Sequence, residues 1–199
     1  MKKIGYRQSN LDHTLFLKHR CGKVTALIIY VDNMVVTGDD IEEIQRLQGQ
    51  LSSEFEMKDL GNLKYFLGIE VARGKDCIVL SQRKYVLDLL AETSMLDCKP
   101  VDTPIEQNHP LAEYVDQIPT NKGRYQRLVR RLIYLSHTRL ALAYAVSVVS
   151  QFMHNPSKVH MDAVFHILLH LKSAPGKGLI FFKTQSLRCF RIYRRRLGR

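Results

Sequence analysis

The stretch LIIYVDNMVVTGDD, residues 27–40, places two apolar runs on either side of the polar pair Asp32–Asn33. Residues with branched or aromatic side chains dominate both runs and favour β-strands. Asp and Asn tolerate the backbone angles of tight turns. The stretch therefore predicts a hairpin with Asp32 and Asn33 at its tip, between strands that pack in a core.

The segments on either side of this stretch continue the pattern. Residues 14–18 and 24–30 are two β-rich runs separated by a short polar segment, which predicts another hairpin upstream. Downstream, Asp39 or Asp40 can cap a helix over residues 41–55, whose apolar side chains recur at helical spacing. The first part of the chain therefore combines antiparallel strands with helices that pack on them.

The rest of the chain divides at a proline-rich segment. Residues 65–80 predict a further hairpin, and residues 82–95 predict a second helix. Residues 99–123 carry four prolines and show no period, which is typical of a linker. Residues 124–183 follow as three helices and a final strand, GLIFFK, for which the sequence offers no obvious partner. These patterns predict an α+β fold.

Composition and charge exclude several classes of protein. The 199 residues are 45% hydrophobic and carry a net charge of +11, which favours polyanionic partners. Six arginines and no acid lie in residues 184–199, so we expect a basic, disordered tail and a mildly basic body. No apolar run is long enough to span a membrane, and no signal peptide opens the chain. We therefore expect an intracellular protein that does not bind membranes, and the sequence leaves its oligomeric state open.

Several motifs together resemble one family. LIIYVDNMVVTGDD, MKDLGNLKYFLGIEVARG, LSQRKYVLDLL, MLDCKPVDTPIE and RLIYLSHTR follow one another in the order found in the reverse transcriptases of copia-type LTR retrotransposons. The resemblance runs from about residue 5 to residue 183. It implies a fragment of an RNA-directed DNA polymerase with a partial palm and the start of the thumb (1–98), a linker (99–123), a helical connection segment (124–183) and the basic tail (184–199).

The resemblance also implies roles for particular residues. Tyr30–Asn33 corresponds to the Tyr-Val-Asp-Asp catalytic hairpin, in which Asp32 would be a ligand of Mg²⁺ and Asn33 replaces the second aspartate. The implied substrates are dNTPs and an RNA or DNA template–primer. Two further groups are implied to contact nucleic acid: a hairpin similar to the family's primer grip, Phe66, Leu67 and Gly68, and the basic residues beside it, Lys64, Arg83 and Lys84.

The chain departs from the family at its catalytic centre. Asn33 lacks the negative charge on which a Mg²⁺ site relies. The family's other essential carboxylate belongs to a strand that we would expect before Met1. We therefore expect a catalytically inactive remnant of a reverse transcriptase. The alternative is a retained nucleic-acid-binding module without catalysis, whose binding would weaken as salt rises.

The histidines allow a third interpretation. His166 and His170 are one helical turn apart, a spacing that can bind a metal, and His154 and His160 lie nearby in the sequence. A zinc-dependent hydrolase would need such a cluster. The competing interpretation is that the first two simply replace basic residues of the family, and we favour it.

Overall fold

The computed structural model describes residues 4–55, 57–106, 109, 111–112, 116–182 and 190–195. They fall into two compact units. Unit 1 comprises Met1–Lys64 with Phe182–Arg199, and unit 2 comprises Tyr65–Phe181. The boundary therefore lies after Lys64, whereas the sequence suggested a division within residues 99–123.

The elements follow the predicted order with several differences in detail. The strands are β1 (Arg7–Gln8), β2 (Leu15–Arg20), β3 (Lys23–Tyr30), β4 (Asn33–Gly38), β5 (Met57–Asn62), β6 (Tyr65–Phe66), β7 (Ile69–Arg73), β8 (Cys77–Ser81), β9 (Gly178–Phe182) and β10 (Phe190–Arg195). The helices are α1 (Ile41–Glu54), α2 (Arg83–Glu92), α3 (Lys122–Ser136), α4 (Ala143–Ser150) and α5 (Lys158–Ser173), with a short 3₁₀ turn at Leu140–Leu142.

Unit 1 is an antiparallel sheet, in the order β1-β2-β3-β4-β10-β5, with α1 packed on one face. Leu27 of β3 pairs in register with Val36 of β4, and both are buried with Leu47 of α1. Asp40 caps α1, because its Oδ1 accepts a hydrogen bond from the Glu43 backbone N–H at 3.1 Å. The predicted hairpin and helix therefore pack on each other as a sheet layer and a helix layer with one core between them.

Strand β10 differs from the expectation of a disordered tail. Residues 190–195 pair antiparallel with β4 on one side and with β5 on the other. The register places Arg194 opposite both Asn33 and Lys58. A backbone pairing on two sides satisfies main-chain donors and acceptors that an edge of β4 would otherwise expose. Part of the basic tail is thus a strand of the sheet.

Unit 2 combines a second sheet, in the order β6-β7-β8-β9, with helices α2 to α5. Its core is apolar and draws on all four helices, including Leu89, Leu132, Val149 and Leu168. Strand β9, which the sequence left without a partner, lies beside β8. A Cβ atom at Gly178 would come within 2.0 Å of the Leu80 carbonyl oxygen, so this close approach requires glycine.

The described part of the proline-rich segment packs against the rest of unit 2. The imidazole Nε2 of His166 lies 3.0 Å from the Thr103 carbonyl oxygen, and Nδ1 of His170 lies 3.2 Å from that of Val101. Ile105 packs against the core of the unit. The segment predicted as a linker therefore lies along α5 here.

The α+β prediction is confirmed by the two antiparallel sheets and the five helices. Among the residues that the structure describes, no helix is both long and apolar enough to cross a bilayer.

Candidate functional site

The tip of the β3–β4 hairpin is a two-residue turn made of Val31 and Asp32. Tyr30 and Asn33 pair across the base of this turn, so Asn33 already belongs to β4 and does not share the tip as predicted. Val31 has a φ of +49° and is 81% exposed. A positive φ is unusual for a β-branched residue and indicates local strain immediately before Asp32.

The strands behind the tip hold it in place. Ile29 and Met34 pair with each other and pack against the core of unit 1. Leu27 and Val36, two residues further along the strands, pair in the same way and are buried. Asp32 itself is half-buried. Its carboxylate therefore extends from a short, rigid turn whose flanking residues lead directly into the core.

Other carboxylates of unit 1 that lie near in sequence are engaged elsewhere. Asp39 accepts a hydrogen bond from the Val24 N–H at 2.6 Å, and Asp40 caps α1. Both lie at the opposite end of β4, roughly 20 Å from the tip at the rise of a β-strand. Asp59 of β5 lies nearer the tip, because Tyr193 of β10 pairs with Met34 on one side and with Asp59 on the other. Its carboxylate accepts hydrogen bonds from Gln48 and Gly61.

Because these neighbouring carboxylates are engaged elsewhere, the tip has few side chains that could bind a metal. In the part of the chain that the structure describes, no three His, Cys, Asp or Glu side chains form a metal-binding group. The tip offers the carboxylate of Asp32, and Asn33 follows it as the first residue of β4. Mg²⁺ commonly binds one or two protein carboxylates and completes its shell with phosphate oxygens and water. The donors present fit Mg²⁺ in that contributing role.

The second candidate hairpin joins β6 and β7 in unit 2. Leu67 and Gly68 form its turn with φ values of +49° and +81°, the two positive angles of a type I′ turn. The Tyr134 hydroxyl of α3 donates a hydrogen bond to the Leu67 carbonyl oxygen. The rings of Tyr134 and Tyr85 meet edge to face at 5.4 Å. Helices α2 and α3 therefore support this tip, and residues 65–81 form three strands where the sequence had predicted a single hairpin over residues 65–80.

The predicted basic residues divide between the two units. Arg83 and Lys84 open α2 in unit 2, and Lys64 ends unit 1. The Lys84 backbone N–H donates to Glu70 Oε1 at 2.8 Å, and Glu70 pairs across the hairpin with Tyr65. Unit 2 therefore holds Lys84 against the β6–β7 hairpin through Glu70, with Arg83 next to it at the start of α2, while Asp32, Asn33 and Lys64 belong to unit 1.

Sequence reasoning missed three residues that position the second hairpin: Glu70, Tyr85 and Tyr134. Burial raises the pKa of the Tyr85 hydroxyl, in keeping with its place between α2 and the hairpin. The signal that could have identified Tyr134 is a tyrosine inside the apolar run LIYL of RLIYLSHTR.

The histidines contact backbone atoms. His160 is fully buried; its Nδ1 accepts a hydrogen bond from the Ser157 N–H at 3.0 Å, and its Nε2–H donates to the Ala112 carbonyl oxygen at 3.2 Å. His166 and His170 contact the carbonyl groups given above. These three imidazoles thus hold the proline-rich segment and the start of α5.

Comparison with known proteins identifies the class. The profile of the family described as reverse transcriptase (RNA-dependent DNA polymerase) matches residues 1–107. The chain belongs to this family, which generally uses a divalent metal and binds a nucleic-acid template. The resemblance drawn from the motifs is confirmed.

The relatives narrow the class to copia-type elements. The chain is 39% identical over 184 residues to the retrovirus-related Pol polyprotein from transposon RE1 of Arabidopsis thaliana, covering 92% of this chain and 13% of that protein. It is 35% identical over 193 residues to the corresponding polyprotein from transposon TNT 1-94 of Nicotiana tabacum, covering 91% and 14%. An uncharacterized mitochondrial protein of Arabidopsis thaliana is 37% identical over 165 residues, covering 81% and 67%.

The chain thus corresponds to a part of the reverse transcriptase of a transposon polyprotein, and it spans only about one eighth of the RE1 polyprotein. No solved structure matches it.

Proposed function

We propose that this chain supplies the catalytic hairpin of a copia-type reverse transcriptase, with Asp32 as a ligand of Mg²⁺. The observation that carries the proposal is the position of Asp32, a half-buried carboxylate on a two-residue turn whose strands continue into a buried core. Phosphoryl transfer depends on carboxylates that hold metal ions in a fixed place beside the phosphates. A rigid hairpin meets that requirement.

The neutral neighbour limits what this tip can do. Bound Mg²⁺ would neutralise charge on the phosphates of an incoming dNTP. Asp32 would hold the ion through its carboxylate and Asn33 through a neutral carbonyl oxygen, so the pair binds the ion more weakly than two carboxylates would. We propose on this ground that the chain by itself does not extend a primer.

The metal proposal is tested with Mn²⁺ as a paramagnetic probe in nuclear magnetic resonance. Amide signals of residues 30–34 should broaden first when Mn²⁺ is added. Asp32→Asn should weaken this effect about tenfold. Glu54→Gln is the matched control, since Glu54 is an exposed carboxylate of the same unit at the end of α1. Broadening that survives Asp32→Asn unchanged would contradict the assignment.

Catalysis is tested separately with a primer–template, dNTPs and Mg²⁺. Incorporation by the chain should equal that of Asp32→Ala. Asn33→Asp should strengthen the Mn²⁺ effect because it restores the second charge. Incorporation clearly above the Asp32→Ala background would overturn the proposed inactivity while leaving Asp32 as a metal ligand.

We further propose that the β6–β7 hairpin and its basic neighbours contact the primer strand. Phe66 and Leu67 place apolar side chains at the tip, and Arg83 and Lys84 are exposed beside it at the start of α2. Lys64 precedes the hairpin directly. The double variant Arg83→Gln/Lys84→Gln should weaken primer–template binding and flatten its salt dependence by about two phosphate contacts. The control Lys122→Gln/Lys158→Gln removes the same charge from exposed positions elsewhere in unit 2.

A second candidate function is nucleic-acid binding without any metal role. The net charge of +11 favours it. This candidate predicts the salt-dependent binding described above. It also predicts that Mn²⁺ broadens the amide signals equally in the unaltered chain and in Asp32→Asn. Deleting residues 185–199 does not separate the candidates, because the deletion removes β10 from between β4 and β5.

A further inference from the structure

Arg139 is a buried cation whose charge is not matched by an acid. Its side chain is 7% exposed. Nη2 donates to the carbonyl oxygens of Ala174, at 2.8 Å, and Pro175. Among the described residues Nε has no hydrogen-bond partner and the guanidinium pairs with no carboxylate. A buried charge without a counter-charge is costly, so Arg139 favours an external anion.

A cleft of about 190 Å³ gives such an anion access to Arg139. It lies wholly within unit 2 and is lined by Arg139, Ala141, His170 and Lys177 together with Thr138 and Leu179 and their neighbours. No Asp or Glu is among these lining residues. The cleft therefore presents two full positive charges with no acid to offset them.

One turn of the backbone holds the Arg139 guanidinium and the main chain of Lys177. Arg139 binds the carbonyl groups of Ala174 and Pro175, and the Lys177 N–H donates to the same Ala174 carbonyl oxygen at 3.1 Å. Lys177 is thereby held at the edge of the cleft with its side chain exposed. The Arg139 guanidinium is therefore held in place before any ligand arrives, whereas the exposed Lys177 side chain becomes ordered on binding.

We propose that this cleft binds a phosphate group. The guanidinium charge of Arg139 and the lysine ammonium together suit the double negative charge of phosphate. The cleft is smaller than the 300–1,000 Å³ typical of sites for whole small molecules, so it holds a single group. The phosphate can be a free ion or part of a nucleic-acid backbone, and these sources share the same chemistry. The inference stands apart from the metal role of Asp32, which lies in unit 1.

The test titrates inorganic phosphate into the full chain at low ionic strength and follows amide signals of residues 138–142 and 174–179. Lys177→Gln should weaken binding about threefold. Ala141→Asp should weaken it about tenfold, because it places a carboxylate in the cleft. Ala141 and Lys177 are both exposed, so neither change should unfold the unit. Arg139 is left intact because it also holds the turn.

Two controls change the net charge equally at other exposed positions of unit 2. Lys158→Gln matches Lys177→Gln, and Ser147→Asp matches Ala141→Asp. Each should alter phosphate affinity by less than about twofold. Equal losses in variants and controls, or no binding by the unaltered chain, would overturn the proposal.

A competition experiment then distinguishes the sources. An oligonucleotide without terminal phosphate should displace inorganic phosphate from the cleft if the source is a nucleic-acid backbone. If it does not, and only free phosphate or a terminal phosphate binds, the source is a small ion or monoester. Either result retains the phosphate site.

Discussion

The two units differ in what their cores contain. Unit 1 buries Glu43, 1% exposed, among its apolar side chains, and this carboxylate accepts hydrogen bonds from Tyr6 at 3.2 Å, Lys18 at 3.0 Å and Arg46 at 2.8 Å. In unit 2, the described core is a larger set of aliphatic and aromatic side chains from α2 to α5, and its buried polar residues include no acid. The unit with the candidate metal ligand therefore depends more on charge.

The two hairpin tips differ in how far neighbouring side chains support them. Leu67 and Gly68 contact Tyr134 and Tyr85, so α2 and α3 hold that tip from below. Val31 is instead largely exposed in a strained conformation, and only the strands behind it lead into the core. One tip is supported by its surroundings, and the other is presented outward. Asp32, which we propose as a metal ligand, lies on the tip that is presented outward.

The largest effect is expected at Glu43. Glu43→Gln should lower the stability of unit 1 by about 2–3 kcal/mol, because Lys18 and Arg46 lose a buried charged partner. Denaturant unfolding followed by amide signals of each unit measures this, and unit 2 should not change. Glu42→Gln is the control, since Glu42 is 77% exposed and pairs only at the surface. Equal losses in the two variants would contradict the role of Glu43.

The same carboxylate makes the stability of unit 1 depend on pH. Burial alone would raise the pKa of Glu43, but hydrogen bonds from Arg46 and Lys18 hold it below the ordinary value of 4.5. The folded state therefore binds fewer protons than the unfolded state in this range. The stabilisation is complete above about pH 4.5 and is lost as the pH falls through the lower, folded pKa. In Glu43→Gln the pH dependence should become smaller, with the remainder due to groups such as Asp12, whose pKa hydrogen bonds from Thr14 also lower.

A smaller effect is expected at the supported tip. Gly68→Ala should destabilise unit 2 by about 1–2 kcal/mol, since alanine is disfavoured at a φ of +81°. Gly123→Ala at the start of α3 is the control and should leave stability unchanged or slightly raised. Thermal unfolding compares the two. Should both variants melt alike, the turn geometry at Gly68 would be wrong.

How much the sequence could predict depends on how local each signal is. Period and capping residues predicted α1 with Asp39 or Asp40 as its cap, of which the structure has Asp40, and the paired apolar runs predicted the β3–β4 hairpin. The turn position was wrong by one residue because Asp and Asn are better turn formers than Val31. Strand β10 and the place of β9 depend on pairing between distant segments, which no local pattern encodes. The same is true of the Tyr134 contact.

The smallest effect, and the sharpest test of the comparison between tips, concerns Val31. Val31→Gly relieves about 1–2 kcal/mol of strain and costs about 0.7 kcal/mol in chain entropy, so unit 1 should gain about 0.3–1.3 kcal/mol. Leu67→Gly, at the same φ of +49°, should be near neutral because its partly buried side chain loses contacts. If strain at Val31 helps to present Asp32, Mn²⁺ broadening at residues 30–34 should weaken in the more stable variant. If Val31→Gly is more stable and the Mn²⁺ broadening is undiminished, the strain at Val31 has no role in metal binding.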